Sequence, residues 1–246
     1  MDKKTRIFLI RHGQPQQHEG KIFLGQYDPE LSERGKDEAG RAAEKMEKMM
    51  RIFLIRHGKS KWYKGGVYLG ENRVVSRKGK IRVAAAADEL IECKALIKRI
   101  YSSDLLRAMQ TAEIIAEKIG GVPIVPDILF REMAMGDWDG ELIEDIKAKF
   151  PEEYKKRGED LRNYRVPGGE NFYDLKGRVV REFHRILRED FLDAEDDPGD
   201  LVIVAHLGVL SALNEELLRD APGGDLYYRH FPTGSVTVYD VPEWLL

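Results

Sequence analysis

With one cysteine, Cys93, in 246 residues, this chain has no intramolecular disulfide and no cysteine-built metal centre. Long apolar runs are missing too. The first, inside "MDKKTRIFLIRHG", is too short for a signal peptide or a membrane span. Charge of one sign is not in excess: the net charge is −3, which gives no basic field to recruit nucleic acid or an anionic membrane. The basic runs "RKGKIR" (77–82) and "KKRG" (155–158) have acids nearby and read as solvated faces. No HExxH pair and no glycine-rich phosphate loop of the Walker type occurs. These absences lead to the expectation of a soluble cytoplasmic protein without metal or cofactor, and with neither nucleic acid nor membrane as a partner.

What the chain does contain is a repeat. "RIFLIRHG" stands at residues 6–13 and again at 51–58, identical at all eight positions. Downstream, "LGQYDPELSERGK" (24–36) parallels "LGENRVVSRKGK" (69–80), one residue shorter. Two copies are too few for a solenoid. The helical pattern of "EKMEKMM" also runs straight into the second "RIFLI" with no Gly, Pro or Asn between them. A duplication or fusion of related N-termini fits this join. It divides the chain into residues 1–50, a duplicated strand–loop–helix segment, and 51–246, the main domain.

Residues 6–10 and 51–55 read as buried strands. Residues 36–50 and 81–92 carry helical stripes. "KRIYSS" (98–103) is a further strand, and 104–121 a helix with Ala108, Ala112, Ile115, Ala116 and Ile119 on one face. "LVIVA" (201–205) is a continuous buried strand followed by a helix to about residue 219, and "SVTVYD" (235–240) an edge strand. The stretch 131–190 is mainly helical, clearest over 178–192, and "AEDDPGD" (194–200) reads as a solvated acidic turn. This alternation predicts an α/β fold of three α/β/α layers with a mostly parallel central sheet and a helical insertion over the active site. Cys93 is expected to be a packed small residue. His184 and His230 are expected to be structural.

In such sheets ligands collect beyond the carboxyl ends of the strands. Three strand ends here carry polar groups: Arg-His-Gly, Ser-Ser-Asp after "KRIY", and His206-Leu-Gly. Two imidazoles with guanidiniums at one crevice point to an oxyanion, phosphate above all. Arginine binds phosphoryl oxygens in bidentate fashion, and a neutral imidazole attacks phosphorus.

Four motifs then resemble those of the histidine phosphatase superfamily, in its phosphoglycerate mutase-like branch. They are "RHG" with "GQYDPELSERG", "SSDLLRAMQTA" (102–112), "REMAMGDWDG" (131–140) and "VAHLGV" (204–209); "PGGEN" (167–171) also resembles a recurring family loop. The resemblance implies a metal-independent phosphomonoesterase that acts on small phosphorylated metabolites through a phosphohistidine. It makes His57 the nucleophile, Arg56 and Arg107 the phosphate-binding residues, and His206 a hydrogen-bond donor to the transferring group. Glu132 becomes the acid for the leaving alkoxide and then the base for water. A surface ion pair between Glu132 and Arg131 is the plain alternative.

His12 and Arg11 are the other copy of nucleophile and arginine. The second copy joins the rest of the motifs at ordinary spacing, with 23 residues from Gly79 to Ser102. The first copy keeps the better loop, with Asp28 and Pro29. A homodimer, domain-swapped so that the first copy completes a neighbour's sheet, is compatible with the repeat. A phosphoglycerate mutase is the other enzyme reading, although "GDWDG" is closer to the phosphatases. A pseudophosphatase that only binds a phosphoryl ligand is the non-enzyme reading.

Overall fold

A computed structural model of the protein describes residues 30–47, 50–61, 73–192, 199–218 and 231–241. The chain forms two compact units, Met1–Met49 and Met50–Leu246. In the first, helix α1 (Glu33–Glu47) begins where Ser32 Oγ accepts from Gly35 N at 3.0 Å, an N-cap. The Arg34–Glu38 pair then braces its first turns. The first "RIFLIRHG", and with it Arg11 and His12, lies outside the described residues.

The second unit is built on a five-stranded sheet. Its strands are β1 (Arg51–Arg56), β2 (Ile100–Ser103), β3 (Ile124–Asp127), β4 (Leu201–Ala205) and β5 (Val236–Asp240), in the order β3-β2-β4-β1-β5. β1 to β4 are mutually parallel and β5 runs antiparallel to β1 at one edge. The period-two alternation of β1 builds two cores. Ile52 and Leu54 face one side, where α6 (Phe172–Ile186) and α7 (Leu207–Leu217) contribute Leu175, Val179, Phe183, Val209 and Leu213. Phe53 and Ile55 face the other, packed with Val83 and Ala87 of α2 (Arg77–Glu92) and Ala108 and Ile115 of α3 (Leu106–Lys118). The fold is therefore the expected three-layer α/β/α, each buried Ile or Leu contributing about 1.5–3 kcal/mol.

The two arginines of "RIFLIR" work at opposite ends of β1. At the start of the strand, Arg51 Nε and Nη2 donate to Asp200, and Nη1 and Nη2 to the Cys93 and Lys94 carbonyls. Asp200 also accepts from the backbone of Arg51 and Leu96. This clip joins β1, β4 and the end of α2, away from the carboxyl end where Arg56 stands.

Several expectations need correction. Asp200 is buried and ion-paired, not part of a solvated turn. Cys93 is exposed, at the end of α2, with Sγ against the Leu90 carbonyl. Strand β3 was not foreseen: it is four residues long, at the sheet edge, and contains Pro126, which an edge tolerates. Helix α6 starts at Phe172, not 178, because Asn171 and Asp174 form a capping box there. Past Ile186 it widens into a π-helical turn, Leu187–Leu192. His184, expected to be structural, has Nε2 2.9 Å from Glu216 Oε1, which agrees with that expectation, and His230 lies outside the described residues.

The helical insertion is α4 (Ile143–Lys149) and α5 (Pro151–Glu159). It has a small core of its own. Trp138 stacks against Tyr154 and Tyr164 and packs with Met135, Ile146 and Val166. Through Met135 and Trp138 that core is joined to the 131–140 loop. Among the described residues no helix is long and apolar enough to cross a membrane.

Candidate active site

Strand register puts the two histidines side by side. Arg56 on β1 pairs with Ala205 on β4, and His57 N donates to the Ala205 carbonyl at 2.9 Å. His57 and His206 thus leave adjacent parallel strands at the same level, with ring centroids 5.0 Å apart. Both are buried.

His57 Nδ1 lies 2.9 Å from the Gly58 carbonyl oxygen. A carbonyl only accepts, so Nδ1 carries the proton and a neutral ring keeps its lone pair on Nε2. Burial first, then the charges of Arg107 and Arg56, lower the His57 pKa to about 3, against the Gly58 hydrogen bond that raises it. The ring is therefore neutral, with an unprotonated lone pair on Nε2. Gly58 N in turn donates to Thr111 Oγ1 on α3 at 2.9 Å, which fixes the turn after β1.

His206 Nε2 is 2.8 Å from Ser103 Oγ, at the end of β2. Its Nδ1 is buried and has no hydrogen-bond partner among the described residues. Burial, then His57, Arg107, Arg56 and Arg178, push the His206 pKa well below its ordinary value.

The guanidiniums enclose this pair. Arg107, in the first turn of α3, is 1% exposed. Arg56 Nη1 donates to the Phe231 carbonyl at 2.6 Å, while its buried Nε has no partner among the described residues. Burial lowers the pKa of both arginines, opposed by the carboxylate of Glu132. The Glu132 side chain is held by backbone donors, Met133 N at 2.9 Å and Gly208 N at 3.2 Å to Oε1. A Cβ on residue 208 would lie 2.5 Å from Glu132 Oε1, so only glycine lets the start of α7 approach the carboxylate so closely.

The five residues singled out in the main domain are thus brought together. The surface pairing of Glu132 with Arg131 is not found: Arg131 makes two bonds of 2.7 Å to Asp104. Glu132 also lines an open cleft of about 610 Å³, together with Leu105, Ile128, Arg131, Met133 and Arg178, which is room for a leaving group. Ser103, Thr111 and Gly208 were quoted within the motifs, but nothing in their type or spacing marked their roles as partners of His206, Gly58 and Glu132.

The model of the histidine phosphatase superfamily (branch 1) matches residues 7–51 and 52–244. The chain belongs to the histidine phosphatase superfamily. The superfamily match runs in two segments, and the boundary between them falls at the second "RIFLIRHG". Among relatives, the chain is 30% identical over 213 residues to phosphoglycerate mutase-like protein 4 of Arabidopsis thaliana, covering 86% of this chain and 70% of that one. It is 33% identical over 221 residues to glucosyl-3-phosphoglycerate phosphatase of Mycobacterium tuberculosis, covering 88% and 77%. The native structure of the mycobacterial glucosyl-3-phosphoglycerate phosphatase superimposes with a TM-score of 0.63 at 27% identity, over 77% of this chain and 89% of that one.

Proposed function

We propose that this histidine phosphatase is a metal-independent phosphomonoesterase that hydrolyses small phosphorylated metabolites through a phosphohistidine on His57. The observation that carries the reading is the neutral His57 imidazole, its Nδ1–H tied to the Gly58 carbonyl and its Nε2 unprotonated beside Arg56, Arg107 and His206. The named phosphatases among its relatives support the same class of substrate.

In the first step His57 Nε2 bonds to phosphorus as the ester P–O bond breaks. Arg56 and Arg107 neutralise the phosphoryl oxygens, and His206 Nδ1–H donates to one of them. Glu132, having taken a proton from the phosphomonoester monoanion, passes it to the departing alkoxide, which leaves through the cleft as the alcohol. In the second step water attacks phosphorus, Glu132 takes the water's proton, and the P–N bond breaks to release phosphate and neutral His57. Glu132 then gives that proton to the departing phosphate, and each group returns to its starting state. A cytoplasmic location belongs to the same proposal.

Hydrolysis of p-nitrophenyl phosphate by His57→Ala, His12→Ala and the double variant tests it. We expect His57→Ala alone to abolish turnover and His12→Ala to retain it. Loss in the His12 variant alone would reassign the nucleophile to the first copy. Conversion of 3-phosphoglycerate to its 2-isomer would favour a mutase, and no turnover of any phosphoester would favour a binding protein.

A further inference from the structure

Glu132 sits in irregular chain, between the short 3-10 turns Ile128–Phe130 and Gly136–Trp138. No helix or strand fixes its backbone, although an acid must meet the leaving oxygen within hydrogen-bonding reach. Two residues without a role in the chemistry supply what is missing. Arg178, on α6, donates from Nη1 to the Leu129 carbonyl at 2.6 Å and from Nη2 to the Glu132 carbonyl at 3.2 Å. The same guanidinium forks onto Glu170 of "PGGEN", with Nε–Oε1 at 2.7 Å and Nη2–Oε2 at 2.8 Å. Glu170 Oε2 then accepts from Ala134 N at 3.0 Å, and Glu170 N donates to the Ala134 carbonyl at 2.8 Å.

The chain is therefore gripped before, at and after residue 132. We infer that Arg178 and Glu170 are positioning residues that clamp the Glu132 segment and set the proton-transfer geometry; this rests on the reading of Glu132 as the acid. The pair is no loose surface bridge: the side chains are 18% and 22% exposed, and four donations leave one guanidinium in a single orientation. The backbone around it is equally close. A Cβ on Gly169 would lie 2.6 Å from the Ala134 carbonyl, so "PGGEN" and "REMAMG" are pressed into one unit. Lysine keeps the charge of Arg178 but offers no planar fork to join Glu170 to two carbonyls.

The test compares an ester that needs a proton on its leaving group, glycerol phosphate, with one that does not, p-nitrophenyl phosphate. Read in single turnover as release of the alcohol, so that only the phosphorylation step is seen, Glu132→Gln sets the reference, with a large loss of rate on glycerol phosphate and a small one on p-nitrophenyl phosphate. Arg178→Lys and Glu170→Gln are expected to lower the single-turnover rate on glycerol phosphate by about tenfold or more, as ångström misplacement does. The single-turnover loss on p-nitrophenyl phosphate should be several-fold smaller than that on glycerol phosphate. In the Glu132→Gln background neither variant should cost anything further. Equal losses on both esters, a change confined to KM, or additivity with Glu132→Gln would overturn the clamp. If Glu132→Gln slows phosphorylation by both esters alike, the acid assignment fails and the clamp with it. Should Arg178→Lys not fold, as thermal unfolding would report, the isosteric Glu170→Gln carries the test alone.

Discussion

The imidazoles of His57 and His206 stand 5.0 Å apart and tilted by 53°, each on the first residue past one of two adjacent parallel strands. One strand register, Arg56 opposite Ala205, brings them together, and a slip of one residue would turn one of them to the other face of the sheet. The site is thus a consequence of how β1 pairs with β4.

Because both rings fold neutral, stability should fall as pH drops. Below about 6.5 an unfolded histidine takes up a proton. Folded His57 does so only near its lowered pKa of about 3. The unfolded state therefore binds more protons through that window, and the stability present above it is progressively lost on acidification. Between pH 6.5 and 5 the His57 contribution amounts to about 2 kcal/mol. Urea unfolding at the two pH values should show His57→Asn losing that much less than the wild type. An equal loss in both would mean that His57 is not held neutral by burial.

Gly208→Ala should damage catalysis more than folding. Its Cβ would meet Glu132 Oε1 at 2.5 Å and Leu175 Cδ2 at 2.8 Å. We expect a fall in kcat on an alkyl phosphate on the order of 100-fold, with about 1–3 kcal/mol of overpacking cost. Steady-state kinetics beside thermal unfolding would separate the two. Full activity in the variant would show that Glu132 does not need the position in which Gly208 holds it.

Asp200→Asn should act in the opposite sense, on stability and not on chemistry. Asp200 is 5% exposed and anchors Arg51 at the far end of β1 from His57. Breaking such a buried pair costs about 3–5 kcal/mol. Chemical denaturation should report that loss, while kcat, measured at a temperature where the variant is folded, should be unchanged.

Much of this was legible in the sequence because it follows from short-range pattern. The apolar runs at 51–55 and 201–205 predict central strands, and polar residues just past each predict the site. Arg56, His57, Arg107, Glu132 and His206 were readable in that way and through the family motifs. The remainder depends on tertiary pairing between ordinary residue types. Arg178 looks like one more cation on an amphipathic helix until the Leu129 and Glu132 carbonyls are seen beneath it. Asp200 looks like part of an acidic turn until Arg51, 149 positions away, folds onto it. Strand β3 is too short, and too interrupted by Pro126, for period-two alternation to register.

The central claim is that His57 carries the phosphoryl group. The direct measurement is to mix the enzyme with a phosphomonoester, quench in alkali, and map the phosphorylated histidine by peptide mass spectrometry. We predict phosphohistidine at His57, in excess in Glu132→Gln on turnover of p-nitrophenyl phosphate, and none at His12. Phosphate found on His12, or turnover with no phosphohistidine at either position, would contradict the account.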